Sequence, residues 1–254
     1  MKARLFLYAL WTLFGALGVA PSPAAAGQFD SWVALIVAGD FHAHTGAESS
    51  VFDNGRRDLA KALQSVGFTQ SHILQFSVQP EKDMETRPKL SDVDTIRTEF
   101  TKLARLSSGG CFLYFTSHGG PQGILVNNAI MSPQEMAKLV NDACADRATV
   151  AVVSACYSGV FVPFLRSDTR MVMTAARADR TSFGCGEANT YTFFDQCMIE
   201  SIPLAPDFPR LGFKVQDCVA AREKAEGMNP PSEPQLNIGN AMQRLLPQYA
   251  FTGR

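Results

Sequence analysis

Cys111-Phe-Leu-Tyr-Phe-Thr-Ser-His118-Gly-Gly120 and Thr149-Val-Ala-Val-Val-Ser-Ala-Cys156-Tyr-Ser-Gly159 are the stretches that decide the fold of this chain. Each is a short apolar run, rich in β-branched or aromatic residues, that stops at a glycine-containing turn, as a buried strand does. One run delivers an imidazole at its end and the other a thiol. Two such strands put both side chains at the carboxyl edge of a parallel sheet, the edge where α/β folds bind their ligands. A thiol attacks only as thiolate, so Cys156 as nucleophile needs a base, and His118 is the candidate. Acyl transfer also needs donors for the developing oxyanion, and backbone N–H groups near Gly119 and at Cys156 are expected to supply them. Gly119 and Gly120 carry no side chain, so a peptide can come close to the backbone there.

Strand and helix signals alternate on both sides of these stretches. Trp32–Ala38 is a continuous apolar run followed by Gly39-Asp40, and Phe52–Val66 has helical spacing stopped by Gly67. Ile73–Val78 reads as a strand, Pro80–Leu90 as a loop, and Ser91 with Asp94 as the start of a helix to about Leu106. Asn127-Asn128 between two short apolar runs predicts a hairpin, and Ser132-Pro133-Gln-Glu135 predicts a helix start with the chain helical to Cys144. Met171–Ala175 is a further strand. Helices are expected over 190–201 and 213–226, and Pro230–Pro234 leads into a last strand near 235–238 and a short helix. This alternation predicts an α/β fold of three layers, a mostly parallel sheet of about six strands with helices on both faces.

Residues 1–26 read as a signal peptide. Lys2 and Arg4 precede an apolar stretch from Leu5 to Ala20, and Ala24-Ala25-Ala26 forms an A-x-A cleavage site before Gly27. The apolar stretch is short for a membrane span. The expected mature chain, 27–254, is one domain, exported to the periplasm or secreted, with no membrane association after cleavage. Loss of Lys2 and Arg4 takes the net charge from −1 to about −3, too acidic for a nucleic-acid partner. Six cysteines in an exported chain invite disulfides. With Cys156 kept free, five remain: Cys111 and Cys144 lie at the sheet end away from the site and are positioned to pair, as are Cys197 and Cys218 on two later helical segments. Buried free thiols are the alternative. No cofactor is expected. His42-Ala-His44 lacks the further ligands of a metal site and is expected to border the substrate cleft; Gly119-Gly-Pro-Gln-Gly123 lacks the lysine of a phosphate-binding loop.

All four histidines (His42, His44, His72 and His118) precede Cys156. That order excludes the papain and α/β-hydrolase arrangements and leaves the His-then-Cys order of caspase-like enzymes. Phe115-Thr-Ser-His118-Gly and Val153-Ser-Ala-Cys156-Tyr-Ser-Gly159 resemble the two catalytic blocks of the legumain (asparaginyl endopeptidase) family of cysteine peptidases. Met173-Thr-Ala-Ala-Arg177 with Thr181-Ser-Phe-Gly-Cys185, and Pro231-Ser-Glu-Pro-Gln235 with Gly239, resemble later blocks, the last of bacterial members. The resemblance implies a caspase-like sandwich, with His118 as base, Cys156 as nucleophile and Asn54 as the residue orienting the histidine. It also implies an S1 pocket with Arg56, Ser182 and Asp195. Tyr157 stands where the family has a pocket glutamate, so the pocket is expected to be more electropositive than legumain's and to accept Asp beside Asn.

The expectation is therefore an exported cysteine endopeptidase acting on peptide or protein substrates through a thioester, after Asn or Asp. A transpeptidase or amidase would use the same thioester with an amine as acceptor. A catalytically silent peptide-binding module on the same fold is the reading from outside enzymology.

Overall fold

The computed structural model describes residues 27–251; the signal peptide expected over 1–26 lies outside the described residues. The chain runs through β1 (Val33–Ala38), α1 (Val51–Ser65), β2 (Ile73–Ser77), β3 (Lys89–Leu90), α2 (Val93–Arg105) and β4 (Cys111–Thr116). It continues through β5 (Gly119–Gly120), β6 (Gly123–Val126), β7 (Ala129–Met131), α3 (Pro133–Cys144), β8 (Thr149–Ser154), α4 (Val162–Leu165) and β9 (Arg170–Thr174). Last come α5 (Phe193–Ser201), α6 (Phe208–Ala225), β10 (Gln235–Ile238) and α7 (Asn240–Leu245).

The main sheet has seven strands in the order β10-β9-β8-β4-β1-β2-β3, all parallel except β10, which runs antiparallel to β9. Every residue of β1, β4, β8 and β9 is buried, which is why those strands read as unbroken apolar runs. Side chains alternate between two cores. Ala34, Ile36, Phe112, Tyr114, Val150 and Val152 face Leu59 and Leu63 of α1, Phe194 and Met198 of α5, and Phe208 and Leu211 of α6. Val33, Leu35, Leu113, Phe115, Ala151 and Val153 face Phe100 of α2, Met136 and Leu139 of α3, and Leu165 of α4. The result is the expected caspase-like α/β sandwich, with one strand more than the six anticipated.

Several local expectations change. The cap of α2 is Asp92, whose carboxylate accepts from Thr95 N–H at 2.8 Å. Ser91 instead is buried and donates its hydroxyl to the Ala38 carbonyl, tying the loop to the end of β1. The 80–90 loop contains the two-residue strand β3. Gly119-Gly120, read as a turn, forms β5 and joins β6 and β7 as a small antiparallel sheet. The Ser132 capping box with Glu135 and the Asn127-Asn128 hairpin form as read. Cys111–Cys144 and Cys197–Cys218 are disulfides; Cys156 and Cys185 are free.

Candidate active site

The central strands are in tight register. Ala38 of β1 pairs with Thr116 of β4, and Thr116 pairs with Ser154 of β8. Two residues past each of these positions stand Asp40, His118 and Cys156. Parallel neighbours lie about 4.8 Å apart, so an equal overshoot brings the three to one row along the carboxyl edge. Ser117 N–H donates to the Ser154 carbonyl at 3.1 Å and Gly39 N–H to the Thr116 carbonyl at 2.9 Å, so the ladder extends beyond the strand ends. Between β1 and β4 the strand order reverses direction, the switch point at which open α/β sheets form their crevice. His118 and Cys156 both line one cavity of about 400 Å³.

His118 is held from three sides. Its Nε2 lies 3.0 Å from the His42 carbonyl oxygen. A carbonyl only accepts, so Nε2 carries the proton and the neutral ring keeps its lone pair on Nδ1. Asp40 Oδ2 is 3.9 Å from the same nitrogen. Asp40 is itself fixed: Oδ1 accepts from the N–H of Phe41 at 2.7 Å and lies 2.8 Å from His42 Nδ1, leaving Oδ2 turned toward His118. The buried Phe52 ring packs against the imidazole edge-on at 5.1 Å between centroids.

The turn after Cys156 explains its block of residues. Tyr157 is left-handed (φ 58°), and its N–H donates to the Arg180 carbonyl at 2.7 Å. Ser158 Oγ accepts from Ala176 N–H at 3.1 Å. Gly159 lies against the backbone of Arg177 and Ala178, where a Cβ would collide. The turn thereby fastens the end of β8 to the segment after β9 and leaves Sγ facing the cavity. Ser182 N–H points at Sγ from 3.3 Å, and the Ser182 carbonyl and hydroxyl are each 3.6 Å away. A thiol can donate to that carbonyl, and a thiolate can accept from the N–H and hydroxyl. The segment after Cys156 is a 3₁₀ turn followed by the four residues of α4, too short to supply a useful helix dipole to the thiol. Gly119 packs on the backbone of Cys156, so a Cβ there would strike the Cys156 carbonyl and Ala155.

The expected pocket residues divide. Ser182 is at the cavity as expected. Arg56 is not: it is 0% exposed and its guanidinium is saturated by Asp53 at 2.9 and 3.0 Å, Asp83 at 2.5 Å, Gln75 and Thr86. Burial works to lower its pKa, but Asp53 and Asp83 outweigh it and raise it. Asp195 is buried beneath the sheet edge, accepting from Tyr114 and Thr116, each at 2.6 Å. Burial raises its pKa against the pull of those donors. A Cβ on Gly55 would collide with its carboxylate, so α1 rests directly on Asp195. Asn54 donates to the Thr190 carbonyl at 3.1 Å and accepts from Arg57, facing a separate polar cavity with Lys82 and Glu187. The groups against His118 are instead the His42 carbonyl and Asp40, which sit at the end of β1, whereas Asn54 sits inside α1. Tyr157 is a turn residue and does not line the cavity.

His44 borders the cavity, as expected of the His42/His44 pair. Cys185, Phe183, Phe193, Glu226 and Met228 also line it. Burial, and after it the nearby Cys156, push the Cys185 thiol pKa up. Asp40 was readable in sequence as the polar residue after the Gly that ends the first apolar run. Glu226 and Met228 were not, because they reach the cavity from the far end of α6.

Residues 95–202, which include His118 and Cys156, match the model of the Peptidase C13 family. Among solved structures, the chain is similar to caspase-1 from Spodoptera frugiperda, with a TM-score of 0.60 and 13% identity over 84% of this chain and 88% of that one. At that identity the likeness is one of fold. No curated protein matches the sequence. Family and fold together support a cysteine peptidase. The segment that carries the thiol and the imidazole thus matches the Peptidase C13 family model, over less than half of the chain, on a caspase-like fold.

Proposed function

We propose that this chain is an exported cysteine endopeptidase in which Cys156 is the nucleophile and His118 its base. The observation that carries the reading is the row Asp40–His118–Cys156, two residues beyond registered positions on three adjacent strands, with thiol and imidazole opening on one cavity. His118 Nδ1 takes the Cys156 proton as Sγ attacks the scissile carbonyl, and later gives it to the leaving amine. Asp40 and the His42 carbonyl hold the ring and face the imidazolium formed in between. Backbone N–H groups at Cys156 and Gly119 are the donors assigned to the oxyanion. Water then attacks the thioester, activated by the same imidazole. An amine in place of water gives transpeptidation from the same intermediate.

Preference for Asn or Asp, implied by the family resemblance, was to rest on Arg56 and Asp195. Both are enclosed away from the cavity, and among the described residues no Lys or Arg lines it for an Asp side chain. Export is supported by the 1–26 segment and by two disulfides, which persist in oxidising compartments. The test is cleavage of a diverse peptide library read by mass spectrometry, with and without added amine. Cys156→Ala should abolish turnover, and His118→Ala should lower it at least about 10²-fold. Iodoacetamide should block the wild type with a single adduct at Cys156. Wild-type rates from folded Cys156→Ala would overturn the assignment. Intact-mass analysis of the exported protein should give a chain starting at Gly27.

A further inference from the structure

The cavity beside Cys156 has a one-sided chemistry. Phe183, Phe193 and Met228 give it apolar walls, Glu226 is the single carboxylate among its described lining residues, and no Lys or Arg lines it. Glu226 is exposed, and among the described residues its carboxylate has no ion pair. It is the C-cap of α6, an eighteen-residue helix whose last carbonyls carry partial negative charge. Side-chain charge at that end normally favours cations, so a carboxylate there adds to the negative pole instead of offsetting it. The cations nearby are spent elsewhere. Arg222 donates to Gln196 at 2.6 Å and lies over the Phe193 ring. Arg177 and Arg180 are paired with Asp179, and Arg177 also with Glu233. Lys224, two residues before Glu226 on the helix, points to another face.

We propose that this cavity is a specificity subsite for a long cationic side chain, lysine or arginine, on the acyl side of the scissile bond. The aliphatic stem lies between Phe183, Phe193 and Met228, and the charged head meets Glu226 at the end of α6, the division of labour that amphipathic side chains make. The acyl side follows from sheet order. His118, which protonates the leaving amine, follows β4 on one side of Cys156, whereas Ser182, against Sγ, and Glu226 enter the cavity from the segments after β9 and α6; the far end of the cavity is closed by Cys185, whose carbonyl accepts from His44 N–H at 3.3 Å. The assignment rests on Cys156 as nucleophile.

Two measurements separate the subsite from that reading. The first is peptide binding to the Cys156→Ala protein by calorimetry, which needs no turnover, with acyl-side Lys, norleucine and Glu in otherwise identical peptides. Lys should bind at least about tenfold tighter than norleucine, the scale of one charge-assisted hydrogen bond. In Cys156→Ala/Glu226→Gln the Lys-to-norleucine ratio should fall to near one, and in Cys156→Ala/Glu226→Lys it should favour the Glu peptide. Equal binding of Lys and norleucine, or a ratio unmoved by Glu226→Gln in protein with an unchanged melting temperature, overturns the subsite. The second is the wild-type cleavage library, where Lys or Arg should be enriched at one acyl-side position and that enrichment lost in Glu226→Gln; enrichment of Asp or Asn instead overturns it. Turnover by Cys156→Ala would sink the nucleophile alone, leaving the binding result standing.

Discussion

Asp40, His118 and Cys156 are three residues whose proposed roles come from backbone register more than from their own neighbours in sequence. Asp40→Asn keeps an oxygen to accept from Phe41 N–H but removes the negative charge 3.9 Å from His118 Nε2. Unit charges at that distance interact by up to about 4 kcal/mol near a protein surface. With the site partly open to water, a loss of about tenfold in kcat is expected, with KM little changed. Steady-state kinetics on one peptide decides it, and an equal loss in Asp40→Asn and His42→Ala with a raised KM would point to a loop role instead. Arg56→Ala has the opposite signature. It strips the partner from buried Asp83 and should cost roughly 3–5 kcal/mol in urea unfolding, while any folded fraction keeps its KM. Chemistry at the strand ends was legible because His118 and Cys156 close long apolar runs. The partners of Arg56 were not, since Asp83 comes from a loop that sequence left without structure.

At the scale of the element, the runs that are buried on both faces were the most legible, and the capped helix α3 followed from Ser132-Pro133-Gln-Glu135. Ends governed by tertiary contact were less so. Ser91 and Asp92 are both good caps in isolation; burial against the Ala38 carbonyl claims the serine, and the aspartate is left to cap α2. Asp92→Ala should therefore cost about 1 kcal/mol, as read by thermal melting, and Ser91→Ala should cost at least as much because it leaves a buried carbonyl without its donor. α6 starts at Phe208, five residues before the Phe213 that the spacing predicts, because Asp207-Phe208-Pro209 carries both a cap and a first-turn proline. Two-residue strands such as β3 and β5 have no pattern of their own and exist because a neighbouring strand offers them partners.

Over the whole molecule, two opposed carboxylates shape stability against pH. Burial would raise Asp83, but the Thr86 hydroxyl and N–H and the Arg56 guanidinium hold it well below the usual carboxylate range. Its contribution is complete above an unfolded value of about 3.9 and is lost as pH falls below it. Asp195 runs the other way: its raised pKa means its contribution is complete below about 3.9 and is lost as pH rises through its folded value. Asp83→Asn should flatten the acid side of a melting-temperature profile, and an unchanged acid side would show that Asp83 is not the group being titrated. The disulfides act on the same scale. Cys111–Cys144 ties the start of β4 to the end of α3, and Cys197–Cys218 ties α5 to α6. Replacing either pair by alanines should lower stability by about 2–4 kcal/mol without altering peptide cleavage by the folded protein, which a urea titration beside a rate assay will show.

The row along the sheet edge also dictates when chemistry can begin. β1 meets β4 only after the chain has laid down β2, β3 and α2, and β4 meets β8 only across β5–β7 and α3. Such non-local parallel pairing is slow, because loop closure must precede the contacts that reward it. An unfolded or half-folded chain therefore carries a thiol and an imidazole that have not met, and it is inert as a catalyst while it is most vulnerable to cutting itself or its neighbours. If Cys156 and His118 act as proposed, proteolytic activity arises only once this long-range pairing is complete.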